Sequence, residues 1–307
     1  MTGPVGQIHT LRVRYADSSD GNEVGEEALS PFKIAAAYSG NATDATPKGS
    51  ATAALEGAAG KRMSIQILKQ TVEAKTRKLS ARWTFEAAQD AQAQQGIDIE
   101  AEIMAALAQE ITAEIDQEVL ASLRALAGTQ NQQAYDQNAV SGTATFVGDE
   151  HAALAVMINR VANNIAQRTR RGAGNYAVVS PHALTILQSA TTSAFARTTE
   201  GAFEAPTNTK MVGTLNSAMK VYVDSYANDS TAILVGYKGS SESDAPAFYC
   251  PYIPLMSSGV VLDPSSFEPV VSFMTRYGYV ELNNTASSLG NAADYLGTVT
   301  IANVTFS

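Results

Sequence analysis

Residues 98–127 read DIEAEIMAALAQEITAEIDQEVLASLRALA and predict the strongest helix of the chain. Asp98 and Glu100 stand at the positive end of the helix dipole, and Arg124 stands near its negative end. Gly128 then ends the helix. Thirty helical residues make a rod of roughly 45 Å.

The apolar residues of this helix recur every four positions. They are Ile99, Ile103, Leu107, Ile111, Ile115, Val119 and Leu123. Each step turns about 400°, so the apolar stripe advances about 40° around the helix. Over six steps the stripe turns about 240°, which a straight coiled-coil seam does not do. The pattern indicates a strut that packs on different neighbours along its length, and an ordinary core helix is compatible with it.

The segments before this helix predict a loop followed by an extended projection. Residues 1–35 show no sustained period, and Ala16–Glu27 is polar, acidic and glycine-containing. Residues 36–60 are rich in small side chains, whereas 64–83 have a β-like composition. We therefore predict a two-stranded projection over 40–83 with the small-residue stretch at its tip. A partner is expected to cover it, because a long exposed hairpin favours aggregation.

The projection is basic although the chain is acidic. Its basic residues between positions 61 and 82 are Lys61, Arg62, Lys69, Lys75, Arg77, Lys78 and Arg82. With the single acid Glu73 they give this segment a net charge of +6, in a chain of net charge −9, so the remainder carries −15. The run is either a solvated face or an arm that lies on an acidic neighbour of its own kind, where complementary charges set the register.

The rest of the chain predicts an α+β fold. Expected helices are 84–95, capped by Thr84 and Gly96, 149–167, and 181–190 after the N-cap Ser180. Expected strands are 176–179, 219–223, 232–236, 248–252, 270–282 and 298–306, with polar loops over 130–142 and 191–213.

Composition excludes several classes of protein. With 45% apolar residues the chain is globular, and it has no apolar run of about 18 residues that would cross a membrane. The single Cys250 allows no intrachain disulfide, which suits a reducing cytoplasm. The net charge of −9 argues against a coat that grips phosphates, but not against a container that encloses DNA.

No residue pattern predicts a catalytic, cofactor or metal site. His9, His151 and His182 lie far apart in the sequence. Gly172-Ala173-Gly174 precedes a strand, whereas a dinucleotide motif follows one. The carboxylates of the long helix are most simply a solvated or salt-bridged face. The cluster Arg168, Arg170 and Arg171 either caps a helix or pairs with carboxylates of an adjacent subunit.

Segments spread over nearly the whole chain resemble the major capsid protein of T-even-type myoviruses, in the form carried by their marine relatives. They are 1–4, 72–75, 86–90, 96–100, 169–175 (TRRGAGN), 213–216, 220–224, 235–239 (VGYKG), 249–255 (YCPYIPL) and 275–278. Each segment by itself is weak evidence of a relationship. Because the segments occur in the same order as in that family, the resemblance is specific.

The resemblance implies a Hong Kong 97-type fold with four parts. The expected parts are an N-terminal arm (1–35), an extended loop (36–83), a peripheral domain (84–128 and 259–283, with spine helix 98–127) and an axial domain (129–258 and 284–307). It also implies that the chain is a trimmed part of a longer precursor. The insertion domain of some members does not fit in 36–83, so a separate cementing protein is a candidate partner.

The implied function is structural. The chain would form hexameric capsomers of an icosahedral or prolate tailed-phage head that encloses double-stranded DNA, assembled in the host cytoplasm and located in the virion. Expected partners are other copies, a vertex paralogue, a portal and a scaffold, with no cofactor and no membrane. Residues expected at subunit contacts are Lys69, Lys75, Arg77, Lys78, Arg82, Arg168, Arg170 and Arg171. Alternatives are an encapsulin-type nanocompartment shell and a cytoplasmic α+β enzyme.

Overall fold

The structure is a computed structural model that describes residues 1–19, 22–26, 28, 38–40, 49–140, 147–169, 171–190, 195–197, 210–240, 244–282 and 292–304. Within these residues the helices are α1 (Thr52–Leu55), α2 (Phe85–Gln95), α3 (Ile99–Ala127), α4 (Gln137–Val140), α5 (Val147–Thr169) and α6 (Pro181–Ser189), and a 3-10 helix spans Ala292–Tyr295. The strands are β1 (Val5–Tyr15), β2 (Met63–Glu73), β3 (Lys75–Arg82), β4 (Gln132–Asp136), β5 (Tyr176–Val179), β6 (Phe195–Arg197), β7 (Lys210–Leu215), β8 (Met219–Val223), β9 (Ile233–Gly236), β10 (Ala247–Ser257), β11 (Val261–Leu262), β12 (Pro269–Glu281) and β13 (Leu296–Ala302).

The chain divides into two compact units. Unit 1 holds Met1–Ile8, Gln70–Ser122 and Ala247–Val280. Unit 2 holds His9–Lys69, Leu123–Pro246 and Glu281–Ser307.

Unit 1 is a sheet covered by the long helix. The central strand β12 bonds to β10 and β11 and pairs antiparallel with β3, from Val270 opposite Arg82 to Tyr277 opposite Lys75. Alternate residues of β12 point to one face, and Val271 and Phe273 are buried there against Leu107 and Ile111 of α3. The predicted helix is thus confirmed, and the middle of its apolar stripe packs on this sheet.

Unit 2 contains a mixed sheet of order β4-β13-β9-β5-β8-β7-β6. The pairs β4/β13 and β5/β8 are parallel, and the other pairs are antiparallel. Helix α5 packs on this sheet through Leu154, Ile158, Val161 and Ile165, all fully buried. The sequence predicts the same four residues for the inner face of this helix, because they recur at helical spacing.

The helix ends form as their local residues dictate. Thr84 accepts a hydrogen bond from the Ala87 amide at the start of α2, and Gly96 adopts the left-handed conformation that ends it. Ser180 caps α6 in the same way, with Pro181 in the first turn. These predictions are confirmed.

Three predictions about loops and strands are wrong. Strand β2 pairs with β1 from the first 35 residues, so the described residues of 40–83 do not form the predicted two-stranded projection by themselves; residues 41–48 lie outside the described part. The predicted loop 130–142 contains β4 and α4, since β13 supplies backbone partners for the polar β4. The predicted loop 191–213 contains β6 and the start of β7, which pair with each other.

The two compact units do not coincide with the four predicted domains, whose bounds stay a prediction. Residues 247–258, expected in the axial domain, lie in unit 1 because β10 bonds to β12. The boundary after Ser122 falls six residues before the expected one at 128. The assignment of peripheral and axial roles to the two units stays a prediction.

Candidate subunit-contact surface

Strands β1 and β2 form a separate two-stranded sheet, which we call the ribbon. The Ala74 amide donates to the Pro4 carbonyl oxygen at 2.8 Å, and the Ala16 amide donates to the Arg62 carbonyl oxygen at 3.0 Å. These bonds close the two ends of the ribbon and show that its strands run antiparallel. A two-stranded sheet is marginally stable unless another surface covers it.

One face of the ribbon exposes an apolar stripe. Met63, Ile65 and Ile67 are 52%, 68% and 68% exposed. They occupy alternate positions of β2 and therefore share a face, on which Lys69 follows. Residues 51–67, which connect to this face, are all exposed. An exposed apolar stripe on a strand indicates a surface that another chain covers.

Three of the residues predicted at subunit contacts are exposed and could contact another chain. Lys69, Lys75 and Lys78 are exposed and form no ion pair with any residue in the described part of the chain. Arg82 is also exposed, and its guanidinium lies 3.7 Å from Glu268. A contact of this exposed kind contributes at most about 1 kcal/mol.

Arg77 instead belongs to a network inside unit 1. Its guanidinium donates to Glu114 at 2.6 Å, to the Tyr277 hydroxyl oxygen at 2.7 Å and to Glu118. The Tyr277 hydroxyl donates to Glu118 at 2.6 Å. The hydrogen bond from Tyr277, followed by the one from Arg77, holds the pKa of Glu118 below its usual value. Burial, together with the hydrogen bond to Glu118, raises the pKa of Tyr277.

Arg168 and Arg171 are likewise engaged within unit 2. Arg168 donates to the Gln130 carbonyl oxygen at 2.9 Å and lies 3.6 Å from Asp294. Arg171 donates to Asp244 at 2.6 Å, and this hydrogen bond raises the pKa of the guanidinium. Arg170 lies outside the described residues. A contact of these arginines with a neighbouring subunit stays a prediction.

The structure joins two of the segments that carry the resemblance. The Asn175 side chain donates to the Lys238 carbonyl oxygen at 2.7 Å and accepts from the Lys238 amide at 3.1 Å. Tyr237 donates to the Arg171 carbonyl oxygen at 3.3 Å, and a side chain at Gly172 would lie 2.5 Å from the Tyr237 ring. The two segments, 169–175 and 235–239, thus pack against each other. Sequence reasoning missed these partners because they are more than 60 positions apart.

Among the described residues, no group of three or more His, Cys, Asp or Glu side chains could hold a metal ion. No helix in the same part of the chain is long and apolar enough to cross a membrane. His151, one of the three isolated histidines, is buried and hydrogen-bonds to Ser189.

Comparison with known proteins gives one consistent result. The family described as major capsid protein Gp23 matches residues 35–301. The major capsid protein of Vibrio phage KVP40 is 37% identical over 253 residues, which are 75% of this chain and 48% of that protein. The major capsid protein of Enterobacteria phage T4 is 35% identical over 251 residues, 75% of this chain and 46% of that protein. The chain therefore spans about half the length of these curated relatives.

A solved structure shows the same fold. The mature capsid of bacteriophage PhiM1 matches with a TM-score of 0.55 at 12% identity, over 99% of this chain and 83% of that one. The predicted α+β capsid fold of tailed phages is confirmed.

Proposed function

The chain belongs to the Gp23 major capsid protein family, and we propose that it forms the shell of a tailed-phage head by self-association. The expected product is a virion capsid built from hexameric capsomers around double-stranded DNA. The observation that carries the proposal is the ribbon, whose stripe of Met63, Ile65 and Ile67 is exposed in the isolated chain. Copies that cover one another's ribbons would bury this surface, and many weak contacts per subunit would make a closed shell stable.

The role is structural rather than enzymatic. Portal, scaffold, vertex and cementing proteins remain candidate partners. The reported relatives are named as phage capsid proteins and give no support to a nanocompartment shell. The net charge of −9 suits a wall that encloses DNA without gripping it.

The test is assembly of the full-length protein with and without the apolar stripe. Wild-type protein should sediment as large shells that are visible by electron microscopy, and shells from infected cells should contain double-stranded DNA. Ile65→Thr combined with Ile67→Thr keeps β propensity but removes apolar area, so it should reduce the fraction of protein in shells. Val156→Thr makes a similar change at an exposed position of α5 and should assemble normally.

Two results would count against the proposal. Wild-type protein that stays monomeric after correct processing would contradict shell formation itself. Shells that contain an enzyme in place of DNA would support the encapsulin alternative.

A further inference from the structure

The end of the ribbon at the start of β2 has a small core of its own. Tyr15, Ala28 and Tyr38 are buried there, and Val13 packs against them. This cluster shares no described residue with the main core of unit 2 around α5. Local packing therefore holds this end of the ribbon together.

A third segment runs beside β1 at the same end. The Tyr15 amide donates to the Glu26 carbonyl oxygen at 2.9 Å, and the Gly25 amide donates to the Tyr15 carbonyl oxygen at 2.9 Å. The Ala28 amide donates to the Val13 carbonyl oxygen at 2.8 Å, so the segment runs antiparallel to β1. Three strands with an apolar face can be stable by themselves, whereas two are marginal. This end therefore has a stability that the two-stranded part of the ribbon lacks.

The hydroxyl group of Tyr38 joins the ends of the two ribbon strands. It accepts a hydrogen bond from the Asp17 amide at 3.3 Å and donates one to the Arg62 carbonyl oxygen. The Tyr38 ring lies 4.5 Å from the Tyr15 ring, and the Lys61 ammonium group lies 5.6 Å from its centre. One buried side chain therefore fixes the residues that follow β1 and the residue that precedes β2.

An ion pair links the same strand ends. The Arg62 amide donates to Asp17 Oδ2 at 2.7 Å, and the guanidinium of Arg62 lies 3.2 Å from Asp17 Oδ1. The side-chain hydrogen bond from Arg62, followed by the one from its amide, holds the pKa of Asp17 below its usual value. Because the guanidinium is largely exposed, its contact alone holds the strands only weakly. We call Tyr38, Asp17 and Arg62 the clasp.

The clasp lies next to the apolar stripe. Arg62 immediately precedes Met63, which is the first residue of both β2 and the stripe. Strand ends open locally unless they are tied down, and opening here would release Met63 from its place on the ribbon. A segment that must be ordered during association weakens binding, so a surface that is ordered beforehand associates more strongly. The clasp is therefore in a position to affect self-association without belonging to the contact itself.

We propose that the clasp orders the stripe-bearing end of the ribbon before subunits meet, and that Tyr38 is its positioning residue. The clasp forms within one chain and acts on assembly through Met63 and the strand that follows. This inference rests on the proposed function, because it assigns the device that prepares the ribbon for self-association.

Removal of one hydroxyl group tests the inference. Tyr38→Phe keeps the ring but loses two hydrogen bonds, so the Asp17 amide of unassembled subunits should exchange its hydrogen about tenfold faster. The yield of shells should fall at least about threefold. The urea midpoint of the subunit should stay at the wild-type value, because Tyr38 lies outside the main core. As a control, Tyr226→Phe removes the hydroxyl of an exposed tyrosine and should change none of these quantities.

A disulfide at the same end tests whether order, rather than the hydroxyl itself, supports assembly. Ala16 and Arg62 are joined by a backbone hydrogen bond across antiparallel strands, which brings their Cα atoms within reach of a disulfide. Ala16→Cys with Arg62→Cys, added to Tyr38→Phe, should restore the yield of shells after oxidation but not under reducing conditions. Cys250→Ser in every protein compared prevents mispairing.

Three results would overturn the inference. They are a normal yield of shells from Tyr38→Phe, a fall in its urea midpoint that matches the loss of yield, and a yield that stays low after mass spectrometry shows the disulfide. Failure of wild-type protein to form shells would instead contradict the proposed function.

Discussion

Arg124 and Asp224 form a buried ion pair in unit 2, with Arg124 Nη2 3.1 Å from Asp224 Oδ2. The Asp224 side chain is fully buried and also accepts from the Tyr226 amide at 3.1 Å. The pair ties the last turn of α3 to the end of β8. A buried charge needs such partners, because its desolvation is costly.

Removing one member of this pair should be strongly destabilising. We expect Asp224→Ala to lower the free energy of unfolding by about 3 kcal/mol, because Arg124 then keeps a largely buried charge without its carboxylate. Urea denaturation of unassembled subunits measures the effect. Asp229→Ala removes an exposed carboxylate from the same segment and should change stability by less than about 0.5 kcal/mol. Equal effects of the two changes would contradict the importance of the ion pair.

Neighbouring charges on β3 should separate folding from assembly. Arg77→Glu places a third carboxylate beside Glu114 and Glu118, so it should lower the free energy of unfolding by more than about 2 kcal/mol. Lys78→Glu should leave stability within about 0.5 kcal/mol of wild type, because Lys78 is exposed on the other face. Urea denaturation and shell yield should be measured on both variants. If Lys78→Glu also leaves the shell yield unchanged, Lys78 belongs to a solvated face.

The pKa of Glu118 predicts a dependence of stability on acid pH. Its folded pKa lies below the ordinary value of 4.5, so its stabilising contribution is present above that pH. The contribution is lost as the pH falls through the folded pKa. Urea midpoints measured from neutral pH to about pH 3.5 should fall less steeply for Glu118→Gln than for wild type. Parallel curves for the two proteins would show that Glu118 does not contribute.

A glycine of β13 should tolerate no side chain. A Cβ at Gly297 would lie 2.4 Å from Val161 and 2.5 Å from Asn131, both buried. Gly297→Ala should therefore destabilise the subunit by about 1–3 kcal/mol through overpacking. Gly49→Ala adds a methyl group where no atom of the described residues lies within 4 Å, and it should be nearly neutral in thermal unfolding. A neutral Gly297→Ala would mean that β13 and α5 can move apart.

Sequence reasoning predicted the elements whose signals are local. Thr84 and Gly96 bound α2, and the spacing from Leu154 to Ile165 defines the inner face of α5, because both signals lie within the helix itself. It failed where a distant strand decides the structure. β4 has one fully buried side chain, Tyr135, and forms because β13 lies beside it.

The candidate contact surface was predicted only in part, because its residues also depend on distant segments. The basic run was evident from composition. Composition did not show which of its residues are engaged inside the unit and which are exposed. Arg77 and Lys78 are adjacent in sequence and differ because strand residues alternate between faces. Asp244, the partner of Arg171, is 73 positions away, and Tyr277, one of the partners of Arg77, is 200 positions away. Such pairs depend on the tertiary fold, which charge patterns alone do not specify.

The pairing of β3 with β12 has a consequence for protein synthesis. Arg77 and its partner Tyr277 are 200 positions apart. At a translation rate of roughly 5–20 residues per second, the ribosome needs about 10–40 s to deliver the second strand after the first. During this interval the nascent chain holds β3 and α3 without the strand that completes their sheet. Unit 1 therefore reaches its native form only after β12 has been synthesised.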